Sequence, residues 1–69
     1  MNQLEIMVNG EPRRVPAPAT AADLLRYLGL DPRTVVLELN RKIVRRPQLN
    51  GTPLADGDAV ELVHFVGGG

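Results

Sequence analysis

The chain has 69 residues, enough for one small domain and no more. Eight Lys and Arg balance eight Asp and Glu, so no net charge steers the chain towards nucleic acid or an anionic membrane, and neither is expected as a partner. There is no cysteine, which excludes disulfides, thiolate metal sites and a nucleophilic thiol, and one Tyr and one Phe cannot build a platform for stacking bases.

Met1-Asn2-Gln3-Leu4-Glu5 carries neither a basic region nor an apolar core of a secretory signal, and no apolar run reaches membrane-spanning length, so a cytoplasmic protein is expected. Leu4, Ile6 and Val8 alternate with Gln3, Glu5 and Met7, the period of a strand with one buried face. Asn9-Gly10 follows, and both positions of a two-residue hairpin turn favour such residues because they need positive φ. The return strand covers about Glu11 to Val15, and Pro12 near its start marks it as an edge strand with Arg13 and Arg14 facing solvent.

Pro16-Ala17-Pro18-Ala19 is a stiff connector. Thr20 reads as a helix N-cap with Asp23 three residues on, where a carboxylate favours the positive helix end. Ala21 to Leu28 is the predicted helix, with Leu24, Leu25 and Leu28 as its core stripe. Gly29 suits the left-handed residue after the last turn, and Asp31-Pro32 stops the helix. Val35, Leu37 and Leu39 alternate with Val36, Glu38 and Asn40 as a third strand. Asn40-Arg41-Lys42 is a tight turn, Ile43-Val44 a short fourth strand, and Arg45 to Leu49 irregular or a single helical turn. Asn50-Gly51 and Asp56-Gly57-Asp58 are further turns, and Ala59 to Val66 is the last strand. One helix covers only one face of such a sheet, so the class is a two-layer α+β domain over residues 1–66.

Gly67, Gly68 and Gly69 follow the last strand with no side chain to pack and much entropy to lose on ordering, and are read as a flexible tail. Three residues reach at most roughly 10 Å, enough to pass down a narrow tunnel into another protein's active site. On the last strand Val60 and Leu62 share one side, while Glu61, Val63 and Phe65 share the other. If the first pair faces the helix, Val63 and Phe65 lie on an open face with Val66 beyond them, and Met7 joins them if the first and last strands are neighbours. An exposed apolar patch beside a tail reads as a partner interface. Asp56 and Asp58 around one glycine are a turn with local hydrogen bonds, not a metal site. His64, the sole histidine, has no partner motif, and Arg41, Lys42, Arg45 and Arg46 read as a solvated basic loop or, alternatively, as a rim contact to an acidic partner surface. No catalytic or metal-ligating set is visible.

Two stretches carry a resemblance. Leu37-Glu38-Leu39-Asn40 before Ile43-Val44, and Leu54-Ala55-Asp56-Gly57-Asp58-Ala59-Val60-Glu61-Leu62 running on to Gly68-Gly69, together closely resemble the ThiS family, the sulfur carriers of thiamine thiazole biosynthesis. The Asp-Gly-Asp turn is shared with other ubiquitin-like domains such as TGS and MoaD proteins; joined to a terminal Gly-Gly it is specific. The resemblance implies a ubiquitin-like β-grasp fold, a mixed four- to five-stranded sheet with one helix packed on one face. It implies that the Gly69 carboxylate is adenylated by an E1-like enzyme of the ThiF type using ATP. A sulfur-donating enzyme then converts it to a thiocarboxylate, which a thiazole synthase of the ThiG type uses. The carrier itself is implied to be no enzyme and to bind no cofactor. Family members often have Val-Pro-Arg after the fourth strand; here Val44-Arg45-Arg46-Pro47 places the proline late, and Gly67 lengthens the bare arm. A MoaD-like carrier for molybdopterin synthesis and a plain ubiquitin-like interaction module are the alternatives: the first differs in the acceptor protein, and the second predicts that loss of Gly68 and Gly69 leaves activity intact.

Overall fold

A computed structural model describes residues 2–65. Five strands and one helix appear in the order β1 (Gln3–Val8), β2 (Glu11–Pro16), α1 (Ala21–Leu28), β3 (Val35–Leu39), β4 (Lys42–Val44) and β5 (Ala59–His64). Two 3-10 turns, Pro32–Thr34 and Arg46–Gly51, join α1 to β3 and begin the connection to β5. The sheet order is β2-β1-β5-β3-β4. Only β1 and β5 are parallel; the other pairs are antiparallel.

The local chemistry explains the elements. Asn9 and Gly10 both have positive φ, 51° and 82°, as the tight β1–β2 turn demands. Thr20 closes a capping box: its Oγ1 accepts from the Asp23 N–H at 3.2 Å, and its own N–H donates to Asp23 Oδ2 at 2.9 Å. Gly29 ends α1 at φ 72°, and the Leu30 N–H reaches back to the Leu25 carbonyl at 2.9 Å. Asp31 does more than stop the helix. Its Oδ1 accepts from the Arg33 N–H at 2.8 Å and starts the first 3-10 turn, a role the sequence reading did not assign.

Alternation sends Ile6, Val8, Val15, Val35, Leu37, Val60 and Leu62 to the face covered by Ala21, Leu24 and Leu25 of α1. Leu49 and Leu54, from the long β4–β5 connection, complete this core. That connection is stitched to the start of α1: the Ala21 N–H donates to the Thr52 carbonyl at 2.9 Å, and the Leu54 N–H to the Ala19 carbonyl at 2.8 Å. The last strand is shorter than expected. It ends at His64, because β3 begins at Val35, the partner of His64, and offers no further strand residue beside Phe65. One bond still continues the pattern, from the Phe65 N–H to the Thr34 carbonyl at 2.9 Å.

Candidate functional site

β5 is the last described element in the chain and the middle strand of the sheet, so whatever follows Phe65 is launched from the centre of the fold. Val66, Gly67, Gly68 and Gly69, together with the expected boundary between residues 66 and 67, lie outside the described residues.

β5 is gripped from both sides. On the β1 side the ladder is short, Met7 opposite Ala59 and Val8 opposite Val60, before β1 turns away. Asn9 takes over there. Its backbone N–H donates to the Val60 carbonyl at 2.9 Å, and its side-chain oxygen accepts from the Leu62 N–H at 2.8 Å. The same amide donates to the Leu62 carbonyl at 3.4 Å, so one side chain stands in for the missing peptide group of a longer strand. On the β3 side Asn40, also at φ 51°, accepts from the Ala59 N–H at 3.0 Å and donates to Asp58 Oδ1 at 3.1 Å. Both asparagines look from sequence like ordinary turn residues.

The Asp56-Gly57-Asp58 turn anchors the root of β5. Asp56 Oδ1 accepts from the Glu5 N–H at 2.7 Å, and Asp58 Oδ2 accepts from the Ala55 N–H at 2.7 Å. Both carboxylates hold backbone: Asp58 does so within its own turn, as expected, whereas Asp56 reaches across to β1.

The face of the sheet away from α1 is open. Val63, Phe65 and Met7 are 57%, 60% and 39% exposed on it. They do not form one cluster, however. Met7 is level with Ala59, four residues before Val63, or about 13 Å along the strand. The near neighbour of Val63 that sequence reasoning did not include is Val36, directly opposite on β3; Ile43 of β4, 63% exposed on the same face, lies beside Glu38 and two strands away from Val63. Ile43 was missed because the face of a three-residue strand cannot be assigned without its register.

Of the basic loop, Arg45 and Arg46 help line a groove of about 440 Å³ that extends to Phe65. Arg33 borders the same groove and is paired with Asp31 at 2.9 Å. The guanidinium hydrogen bond of Arg33, seconded by its backbone N–H, holds the Asp31 carboxyl below the usual carboxylate range. His64 is exposed at the end of β5. Among the described residues no group of three or more metal-ligating side chains comes together, and no helix is long and apolar enough to cross a membrane.

Comparison with known proteins agrees with this architecture. The ThiS family profile matches residues 6–69. The chain is 40% identical over 50 residues to the sulfur carrier protein ThiS of Bacillus subtilis, covering 72% of this chain and 76% of that one. It is 39% identical over 66 residues to thiazole synthases of Magnetococcus marinus and Paramagnetospirillum magneticum, covering 96% of this chain. This chain spans only 20% of the length of either thiazole synthase. Among solved structures, the crystal structure of the thiamine biosynthesis protein ThiS from Geobacter metallireducens superposes with a TM-score of 0.82 at 35% identity, covering 96% of this chain and all of that one. The fold is therefore the ubiquitin-like β-grasp.

Proposed function

The chain belongs to the ThiS family, and from that premise we propose that it is the sulfur carrier of thiamine thiazole formation, with Gly69 as its reactive end. The observation that carries this reading is the extent of the family match, which runs through the glycines to residue 69 instead of stopping at the folded domain.

The chemistry asks little of the carrier beyond that end. A carboxylate is a poor acyl donor. Attack by its oxygen on the α-phosphorus of ATP expels pyrophosphate and gives an acyl-adenylate. A sulfur nucleophile then adds to the carbonyl carbon and AMP leaves, so the terminus becomes a thiocarboxylate. A Cβ on the last residue would crowd that carbon, and glycine has none. Gly67 and Gly68 let the backbone lie close to tunnel walls. In this reading the chain is a protein cosubstrate: an E1-like adenylating enzyme of the ThiF type uses the ATP, a sulfur-donating enzyme supplies the sulfur, and a ThiG-type thiazole synthase consumes it. The absence of any cysteine in the sequence fits a sulfur that arrives from outside. Val63 and Phe65 are the proposed docking residues nearest the tail, with Val66 continuing from them and Met7 a separate contact at the far end of the same face. The proposed compartment is the cytoplasm, where ATP is at hand.

The test is an intact mass after incubation with the adenylating enzyme, ATP and a sulfur source. One oxygen of the C-terminal carboxylate is expected to be replaced by sulfur, and deletion of Gly68 and Gly69 to abolish the change without altering the fold. An unmodified mass for the full chain overturns the proposal.

A further inference from the structure

The β1–β2 turn, Asn9-Gly10, has a covalent chemistry of its own. A glycine after an asparagine has no Cβ to screen its nitrogen, so that nitrogen can close on the asparagine side chain. Here the nitrogen is unencumbered. Among the described residues no backbone carbonyl accepts from the Gly10 N–H, and apart from its chain neighbours nothing lies within 4 Å of where a Cβ on Gly10 would stand. Both turn residues are exposed, so water reaches them.

What holds the reaction back is β5. The Asn9 side-chain oxygen accepts from the Leu62 N–H at 2.8 Å, and its nitrogen donates to the Leu62 carbonyl at 3.4 Å. An amide spread across a neighbouring strand is held away from its own peptide nitrogen, and the turn at φ 51° and 82° fixes the backbone around it. Asn50-Gly51 is the same dipeptide in the second 3-10 turn, outside every strand pairing, so a change there leaves β5 held.

We propose that Asn9 is a deamidation site gated by β5: the amide lasts while Leu62 holds it and is converted when the strand lets go. The Gly10 nitrogen attacks the Asn9 side-chain carbonyl carbon, its proton leaves with the side-chain nitrogen as ammonia, and a cyclic imide forms. Water then opens the imide. Cleavage on the side-chain carbonyl gives aspartate; cleavage on the backbone carbonyl gives isoaspartate, whose main chain runs through the former side chain. No electron donor or acceptor is needed. Neither product restores the grip. Aspartate still accepts from the Leu62 N–H but sets a carboxylate oxygen against the Leu62 carbonyl, two acceptors with no proton between them. Isoaspartate adds an atom to the path of a two-residue turn and breaks its fit to the hairpin. The change is one-way, so a molecule whose last strand has once come loose closes less firmly afterwards.

The experiment follows conversion of the full-length chain at mildly alkaline pH by peptide mapping, which separates Asn9 from Asn50. Wild type is incubated in native buffer and in denaturing urea, beside Asn40→Ala, which weakens β5 from its other edge and leaves the Asn9 turn intact. Wild-type Asn9 is expected to convert at least roughly tenfold more slowly in native buffer than in urea. Asn40→Ala is expected to convert roughly fivefold to thirtyfold faster than wild type in native buffer and at the same rate in urea. If Asn40→Ala does not fold, wild type in sub-denaturing urea replaces it, with conversion expected to rise with urea ahead of the unfolding transition. Converted wild type, separated by charge, is expected to show faster amide exchange at Leu62 and a lower urea midpoint. Equal rates in native buffer and in urea would overturn the gate, as would a native rate untouched by weakening β5. Converted protein with unchanged Leu62 exchange and midpoint would overturn the loss of grip.

Discussion

Asn9 offers the sharpest test of how β5 is held. Replacing it with alanine removes the 2.8 Å bond to the Leu62 N–H, a net loss of about 1 kcal/mol, and the longer 3.4 Å contact to the Leu62 carbonyl, about a few tenths more. Alanine also dislikes the φ of 51° that asparagine tolerates here, at a further cost of about 1 kcal/mol. The sum is about 2 kcal/mol for Asn9→Ala. Asn9→Gly lacks the side-chain bonds but accepts the backbone geometry, so it should cost about 1 kcal/mol. Urea unfolding of the three proteins measures the two numbers, and amide exchange at Leu62 reports the same loss locally. The expected order is wild type, then glycine, then alanine, with Leu62 exchanging faster in both variants. A glycine variant as stable as wild type, with Leu62 still protected, would show that water replaces the asparagine amide at no cost and would refute the clamp.

On the opposite edge of β5, Asn40→Ala is expected to lower stability by about 1–2 kcal/mol, and the melting temperature by roughly 4–8 °C per kcal/mol, because the Ala59 N–H and Asp58 lose their partner. The Asp23 carboxyl is held below its ordinary value of 3.8, first by the Thr20 N–H and with help from Arg26, so its contribution to stability is present above that value and lost as the pH falls through the lower, folded one. Asp23→Asn should therefore flatten the decline in stability below about pH 4 in acid titrations monitored by circular dichroism. Phe65→Ala should leave the unfolding midpoint within about 0.5 kcal/mol of wild type, since the ring is 60% exposed, while slowing thiocarboxylate formation or use; an unaffected rate would remove Phe65 from the docking surface. A chain cut after Asp58 should give a poorly dispersed amide spectrum, because Val60 and Leu62 of the core go with β5.

What the sequence made legible was local. Thr20 with Asp23, Gly29, the positive-φ turn of Asn9-Gly10 and the closure of the Asp58 turn on Ala55 act within a few residues, and each does in the structure what its chemistry suggests. Strand alternation was equally readable, since Val60 and Leu62 turn inward and Val63 outward on spacing alone. The long-range features were hidden. Asn9 and Leu62 are 53 residues apart, and no local pattern tells an asparagine that only turns from one that also clamps a distant strand. Leu49 and Leu54 reach the core from an irregular stretch with no period to flag them. Met7 was grouped with Val63 because both point outward, but facing the same way fixes the side of a sheet and not the position along it; the β1–β5 register separates them. The opposition of Glu38 and Glu61 is likewise a matter of register, invisible until two strands are paired.

The placement of the final strand between two earlier hairpins has a consequence for synthesis. The ribosome makes β1 with β2, and β3 with β4, before the piece that joins them exists, so the domain resembles an arch whose keystone is laid last. A polypeptide stalled or clipped upstream of residue 59 never closes, and is left for proteases instead of persisting as a folded, tailless domain. Any folded molecule must therefore have been translated through the last strand of its sheet.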